Sequence, residues 1–130
     1  MRLALLLLTP LLLTGCIKES ASYYIDGNRH AISLRAQQDY FWSKDVELRV
    51  LASRMPDCQR QLVLGRLPIA DLEVELFESA ENTYVVRAGE QVLQVETAGC
   101  SQLEAPAAEA TGQRLGAFRL DANKKLVFEK

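Results

Sequence analysis

Apolar and polar residues alternate along most of this chain with a period of two. Val46, Leu48, Val50 and Ala52 are interleaved with Glu47, Arg49, Leu51 and Ser53, the pattern of a strand buried on one face. Leu72, Val74 and Leu76 alternate with Asp71, Glu73 and Glu75 in the same way. Leu62 to Leu67 is a further apolar run that Pro68 ends. Three turn sequences join such runs into hairpins. Asp26-Gly27-Asn28 connects Tyr23–Asp26 to Ala31–Ala36, Ala88-Gly89-Glu90 connects Thr83–Arg87 to Gln91–Glu96, and Asp121-Ala122-Asn123-Lys124 connects Leu115–Leu120 to Lys125–Glu129. Beyond the N-terminal leucines, no segment sustains helical periodicity over three turns. The best helical candidate, Ser101 to Ala110, holds Pro106 and lacks a large apolar face, so it reads as a loop with at most one helical turn. These patterns predict an all-β domain, a small antiparallel β-sandwich or barrel of about eight strands. Val63, Phe77, Val85, Leu93 and Val127 fall on the second face of their strands, which predicts that this face is partly covered.

The N-terminus follows a different rule. Arg2 precedes an apolar stretch from Leu3 to Leu13, and the small residues Thr14 and Gly15 follow it. This is the organisation of a secretory signal peptide, and the apolar run is short for a membrane span, which takes about 20 residues. Leu13-Thr14-Gly15-Cys16 resembles the lipobox of bacterial lipoproteins: an aliphatic residue, a small residue, Gly or Ala, then Cys. The resemblance covers the first sixteen residues. It implies removal of residues 1–15, covalent lipid of the palmitate type on Cys16, and a protein anchored in the cell envelope. Ile17 stands where lipoproteins retained in the inner membrane carry Asp, which implies the periplasmic leaflet of the outer membrane. The expected organisation is a signal peptide over 1–15, the lipidated cysteine and a short polar tether over 16–22, and one β domain over 23–130.

Without residues 1–15 the chain has 115 residues, enough for one domain with a true core. Its 14 basic residues face 17 acidic ones, a net charge of −3, and the two signs are interspersed. Nucleic acid is not an expected partner of such a surface. With Cys16 carrying lipid, Cys58 and Cys100 remain as a pair in an oxidising compartment, and a disulfide is the natural reading. A metal site would want more ligands than the lone His30 supplies, and a redox pair would want Cys-x-x-Cys, which is absent. No cofactor is expected.

Three sets of residues are candidates for chemistry or contact. His30 would need a nucleophile and an orienting carboxylate to act as a general base, and no motif supplies them, so it reads as a surface histidine at a turn. Asp71, Glu73 and Glu75 share one strand face and read as a solvated column paired with basic residues such as Arg49 or Arg87. Tyr40-Phe41-Trp42 is the densest aromatic cluster and holds the only tryptophan. It reads either as core at a strand entrance or as the contact surface for an envelope protein, a glycan or lipid headgroups.

The expected function is a non-catalytic, membrane-anchored envelope lipoprotein, a binding or structural module in the periplasm. The alternative is a small inhibitor of a cell-wall-degrading enzyme. Lipid-anchored lysozyme inhibitors are similar in length and combine a small β-barrel with a disulfide, and Thr83 to Cys100 is a comparable hairpin ending in Cys. Their Tyr-x-Cys element has no counterpart here, since Pro56-Asp57 precedes Cys58. The likeness is one of architecture alone.

Overall fold

The computed structural model describes residues 17–106 and 112–130. Cys16, the rest of the lipobox-like tetrapeptide and the signal segment lie outside the described residues. The described chain forms ten strands: β1 (Lys18–Asp26), β2 (His30–Gln37), β3 (Asp45–Arg54), β4 (Cys58–Pro68), β5 (Glu73–Ala80), β6 (Thr83–Ala88), β7 (Gln91–Glu96), β8 (Ser101–Leu103), β9 (Gln113–Leu120) and β10 (Leu126–Glu129). A single 3-10 turn over Ile69–Asp71 joins β4 to β5. One sheet has the order β1-β2-β3-β4, the other β10-β9-β5-β6-β7-β8. Every pairing is antiparallel. The all-β sandwich expected from the alternating pattern is therefore the observed architecture, with ten strands rather than about eight.

The alternation places the core as the sequence implies. Val46, Leu48, Val50 and Ala52 of β3 are fully buried, as are Val74 and Leu76 of β5. They meet Leu62 and Leu64 of β4, Tyr84 and Val86 of β6, and Phe118 of β9 between the sheets. At the β1 side the sandwich is closed by aromatic contacts. Phe128 of β10 lies 5.1 Å from Tyr23 of β1 in a tilted contact and 4.9 Å from Phe118 in an edge-on one, arrangements that aromatic quadrupoles favour. Gly116 makes this packing fit, because a side chain there would run into the Phe128 ring and the Glu129 carbonyl. At the other side the Gln91 amide of β7 donates to the Arg66 carbonyl of β4 at 3.3 Å.

Four expectations about the strands and the burial of single residues along them need correction. Residues 18–22, read as tether, are the first half of β1, paired with Gln37 through Ser33. Their polarity hid the strand, because β1 is an edge strand whose inward positions there are Glu19 and the small Ala21. Ser22 and Ser33 also share a hydroxyl hydrogen bond of 2.6 Å across the pair. Ser101–Leu103, read as loop or helical turn, is the edge strand β8 on Gln94–Glu96; residues 107–110 of that segment lie outside the described residues. On the second face, Phe77 and Val85 are buried as expected and sit opposite one another, with the Arg87 guanidinium 5.4 Å over the Phe77 ring. Val63, however, is exposed, and Leu93 belongs to the main core. The fourth concerns His30, described below.

Candidate functional site

The aromatic cluster sits in the connection between β2 and β3, and the structure leaves it outside the core. Tyr40, Phe41 and Trp42 are 56, 62 and 65 % exposed, so the core-packing alternative is overturned. The three rings pack on one another. Tyr40 stacks on Trp42 at 4.8 Å with an interplanar angle of 9°, and Phe41 meets Trp42 edge-on at 4.7 Å. A stacked aromatic group in water is a large apolar surface with polar tips, the composition favoured at interfaces.

One buried glutamine fixes this loop. Gln38 directly follows β2, and all of its amide bonds are directed at backbone. Its Nε2 donates to the Ser43 carbonyl at 2.6 Å and the Phe41 carbonyl at 3.3 Å, while its Oε1 accepts the Ile17 N–H at 2.9 Å. The Gln38 N–H donates to the Ile17 carbonyl at 2.9 Å. Gln38 thus ties the aromatic loop to the residue that follows Cys16 in sequence. The loop is closed further by the Ser43 N–H to the Tyr40 carbonyl, and Asp39 pairs with Arg66 at 2.7 Å. Nothing in the local sequence marked Gln38, since its role depends on a partner 21 residues away.

The far end of the same sheet holds the second cluster. The ten residues of β3 separate the two ends by about 30 Å at the usual strand rise. The cysteines meet here: Cys58 and Cys100 form a disulfide with Cα atoms 5.8 Å apart, as expected. Cys100 adopts a left-handed φ of 56°. The Glu96 carboxylate organises that turn by accepting the N–H groups of Gly99 and Ser101 at 3.0 to 3.1 Å. The Gly99 N–H bond leads in holding the Glu96 carboxyl below its ordinary range.

His30 belongs to this end and is not a surface residue. It is 8 % exposed, and its Nε2 lies 2.8 Å from the Thr97 hydroxyl and 3.4 Å from a terminal nitrogen of Arg54. Arg54 can only donate, so Nε2 is the acceptor and the ring proton belongs on Nδ1. Burial, and then the neighbouring Arg54 charge, lower the His30 pKa. Arg54 is itself committed, donating to the Thr97 carbonyl at 3.0 Å and to Asn82 Oδ1 at 2.6 Å. This network ties β2 and β3 to the second sheet. It borders an open cleft of about 350 Å³ lined by Asp26, Arg29, Met55 and Asp57 among others. The Nε2 of His30 is thus occupied by the Thr97 hydroxyl and bordered by the Arg54 guanidinium. The turn Asp26–Asn28 misled the sequence reading because the partners, Thr97 and Arg54, arrive from distant strands.

The acidic column is paired with basic residues of the neighbouring strand β9, and Arg87 of β6 stands opposite Glu75 in register. Glu75 pairs with Arg114 at 2.9 Å, and Glu73 with Arg119 at 3.3 Å. Arg49 instead pairs with Glu47 on its own strand, at 2.6 Å. Asp71 leaves the column, lying in the 3-10 turn. No group of three or more His, Cys, Asp or Glu side chains among the described residues is placed to hold a metal ion, and no helix among them is long and apolar enough to cross a membrane. Set beside protein-family models, curated proteins and solved structures, the chain matches none.

Proposed function

We propose that the protein is a non-catalytic, lipid-anchored envelope protein whose sandwich acts as a binding or structural module at the periplasmic face of the outer membrane, with the Tyr40–Trp42 loop as its contact surface. The observation that carries this reading is the lipobox-like Leu13-Thr14-Gly15-Cys16 set directly before the domain, with Ile17 already hydrogen-bonded into it. The disulfide between Cys58 and Cys100 fits an oxidising compartment. The side chains that sequence marks as chemistry-bearing are engaged in structural contacts: His30 with Thr97 and Arg54, Glu73 and Glu75 with arginines. The aromatic loop, in contrast, is tied by Gln38 through its backbone carbonyls and leaves its rings exposed, which is how contact residues differ from core residues.

Metabolic labelling with palmitate, followed by membrane fractionation, tests the anchor. Wild-type protein is expected to label and to fractionate with membranes, and Cys16→Ser to do neither. A Cys16→Ser protein that still labels and sediments with membranes refutes the reading. Pull-down from solubilised envelopes with wild-type and Phe41→Ala protein tests the contact surface, with loss of any recovered partner expected in the variant.

A further inference from the structure

Resting on the lipid-anchor reading, we propose that Tyr40, Phe41 and Trp42 enter the interfacial zone of the bilayer that holds the Cys16 acyl chains, so that the loop is a second, non-covalent membrane contact beside the covalent one. Two observations meet here. The rings form one exposed aromatic cluster, and Gln38 bonds that loop to Ile17. Cys16 is one peptide unit away, about 3.8 Å between Cα atoms. Since β1 begins at Lys18, little free chain remains to let the domain drift from the anchor. The anchor would therefore hold the rings at the membrane surface continuously, and a contact too weak to form from free solution becomes effectively intramolecular.

The chemistry suits lipid better than protein. Trp and Tyr concentrate at bilayer interfaces because each has an apolar ring body and a polar tip. The charges flanking the loop in sequence and pairing are balanced, Lys18, Lys44 and Arg66 against Asp39, Asp45 and Glu47, with Arg66 paired to both Asp39 and Glu47. The patch thus carries no strong net charge to select an anionic surface, and the lysine stems can lie along the interface with their ammonium groups in water. The contact fixes orientation. It turns the disulfide end of the sandwich, with His30 and its cleft, away from the bilayer.

Trp42 is the only tryptophan in the chain, so its fluorescence reports on this loop alone. The full lipidated chain would be reconstituted into phosphatidylcholine–phosphatidylethanolamine vesicles carrying bromine at defined depths in the acyl chain. Flotation with the vesicles and the intact mass report acylation separately. The expected result is blue-shifted Trp42 emission, strongest quenching by the shallowest bromines, protection from aqueous iodide, and no change in bromine quenching with added salt. Phe41→Asp keeps the reporter and should lose most of the bromine quenching while floating as before with an unchanged circular dichroism spectrum. Acylated protein that floats with Trp42 quenched by iodide and not by bromine overturns the loop contact and leaves the anchor standing. Blue-shifted emission without bromine quenching also overturns it, because the rings are then covered by protein. An unacylated mass with no flotation overturns the anchor reading, and this inference with it.

Discussion

Ile17 and Gln38 hold one another through a closed pair of hydrogen bonds: the Ile17 N–H donates to Gln38 Oε1, and the Gln38 N–H donates to the Ile17 carbonyl, each at 2.9 Å. The other end of the same amide reaches the Phe41 and Ser43 carbonyls. A single buried side chain therefore sets where the domain starts and how the aromatic loop is displayed. Gln38→Leu fills similar space but leaves those backbone groups without their partner. It should cost about 1–3 kcal/mol and raise amide exchange at Ile17 and across the loop, which hydrogen exchange with denaturant titration would measure. Unchanged exchange at Ile17 would show that the clamp does not hold the strand end.

Trp42→Ala should leave stability nearly untouched, within about 0.5 kcal/mol, because a ring that is mostly exposed and stacked on its loop neighbours contributes little to folding. Had Trp42 been core, the loss would have been about 3–5 kcal/mol. Thermal melts separate the two values easily, and a large fall in melting temperature would contradict the exposed placement.

Removal of the disulfide should be felt strongly. Cys58 and Cys100 are 42 residues apart, and closing a loop of that size stabilises by about 4 kcal/mol in the chain-entropy view, with measured losses of roughly 2–5 kcal/mol. Cys58→Ala with Cys100→Ala should lower the urea midpoint accordingly. Thiol counting on denatured, unreduced wild-type protein should find neither of these cysteines free.

Stability should fall as the pH drops below the ordinary histidine value. The folded-state pKa of His30 lies below 6.5, because burial and Arg54 disfavour the imidazolium. The unfolded chain thus takes up this proton first. The contribution is complete above about pH 6.5 and is lost as the pH falls through the lowered folded value. Glu96, also lowered, acts in a more acidic window, present above its unfolded value of 4.5 and lost below it. His30→Gln should flatten the decline between neutral and mildly acidic pH while leaving the acidic limb intact. A wild-type stability that rises over the first window would contradict the buried, neutral assignment.

The all-β class, the hairpins at Gly27, Gly89 and Asp121–Lys124, and the buried faces of β3 and β5 were legible from alternation alone, because a strand's side chains change face at every residue and the core selects one face. The cysteine pair was legible from the signal-peptide-like N-terminus, which sets Cys16 apart, and from the two cysteines that remain. Other features were decided only when distant segments met. The polar residues 18–22 are a strand because β2 offers them an edge to pair with. His30 is buried because Arg54 and Thr97 close over it. Arg114 and Arg119, rather than Arg49, neutralise the acidic column because β9 lies beside β5. The Tyr40–Trp42 loop is left outside the core, next to the residue that follows Cys16, because Gln38 bonds to Ile17 and to the loop's own carbonyls. Periodicity records which face of an element is dry; it carries no information on which element, brought from 20 to 70 residues away, will supply the partner.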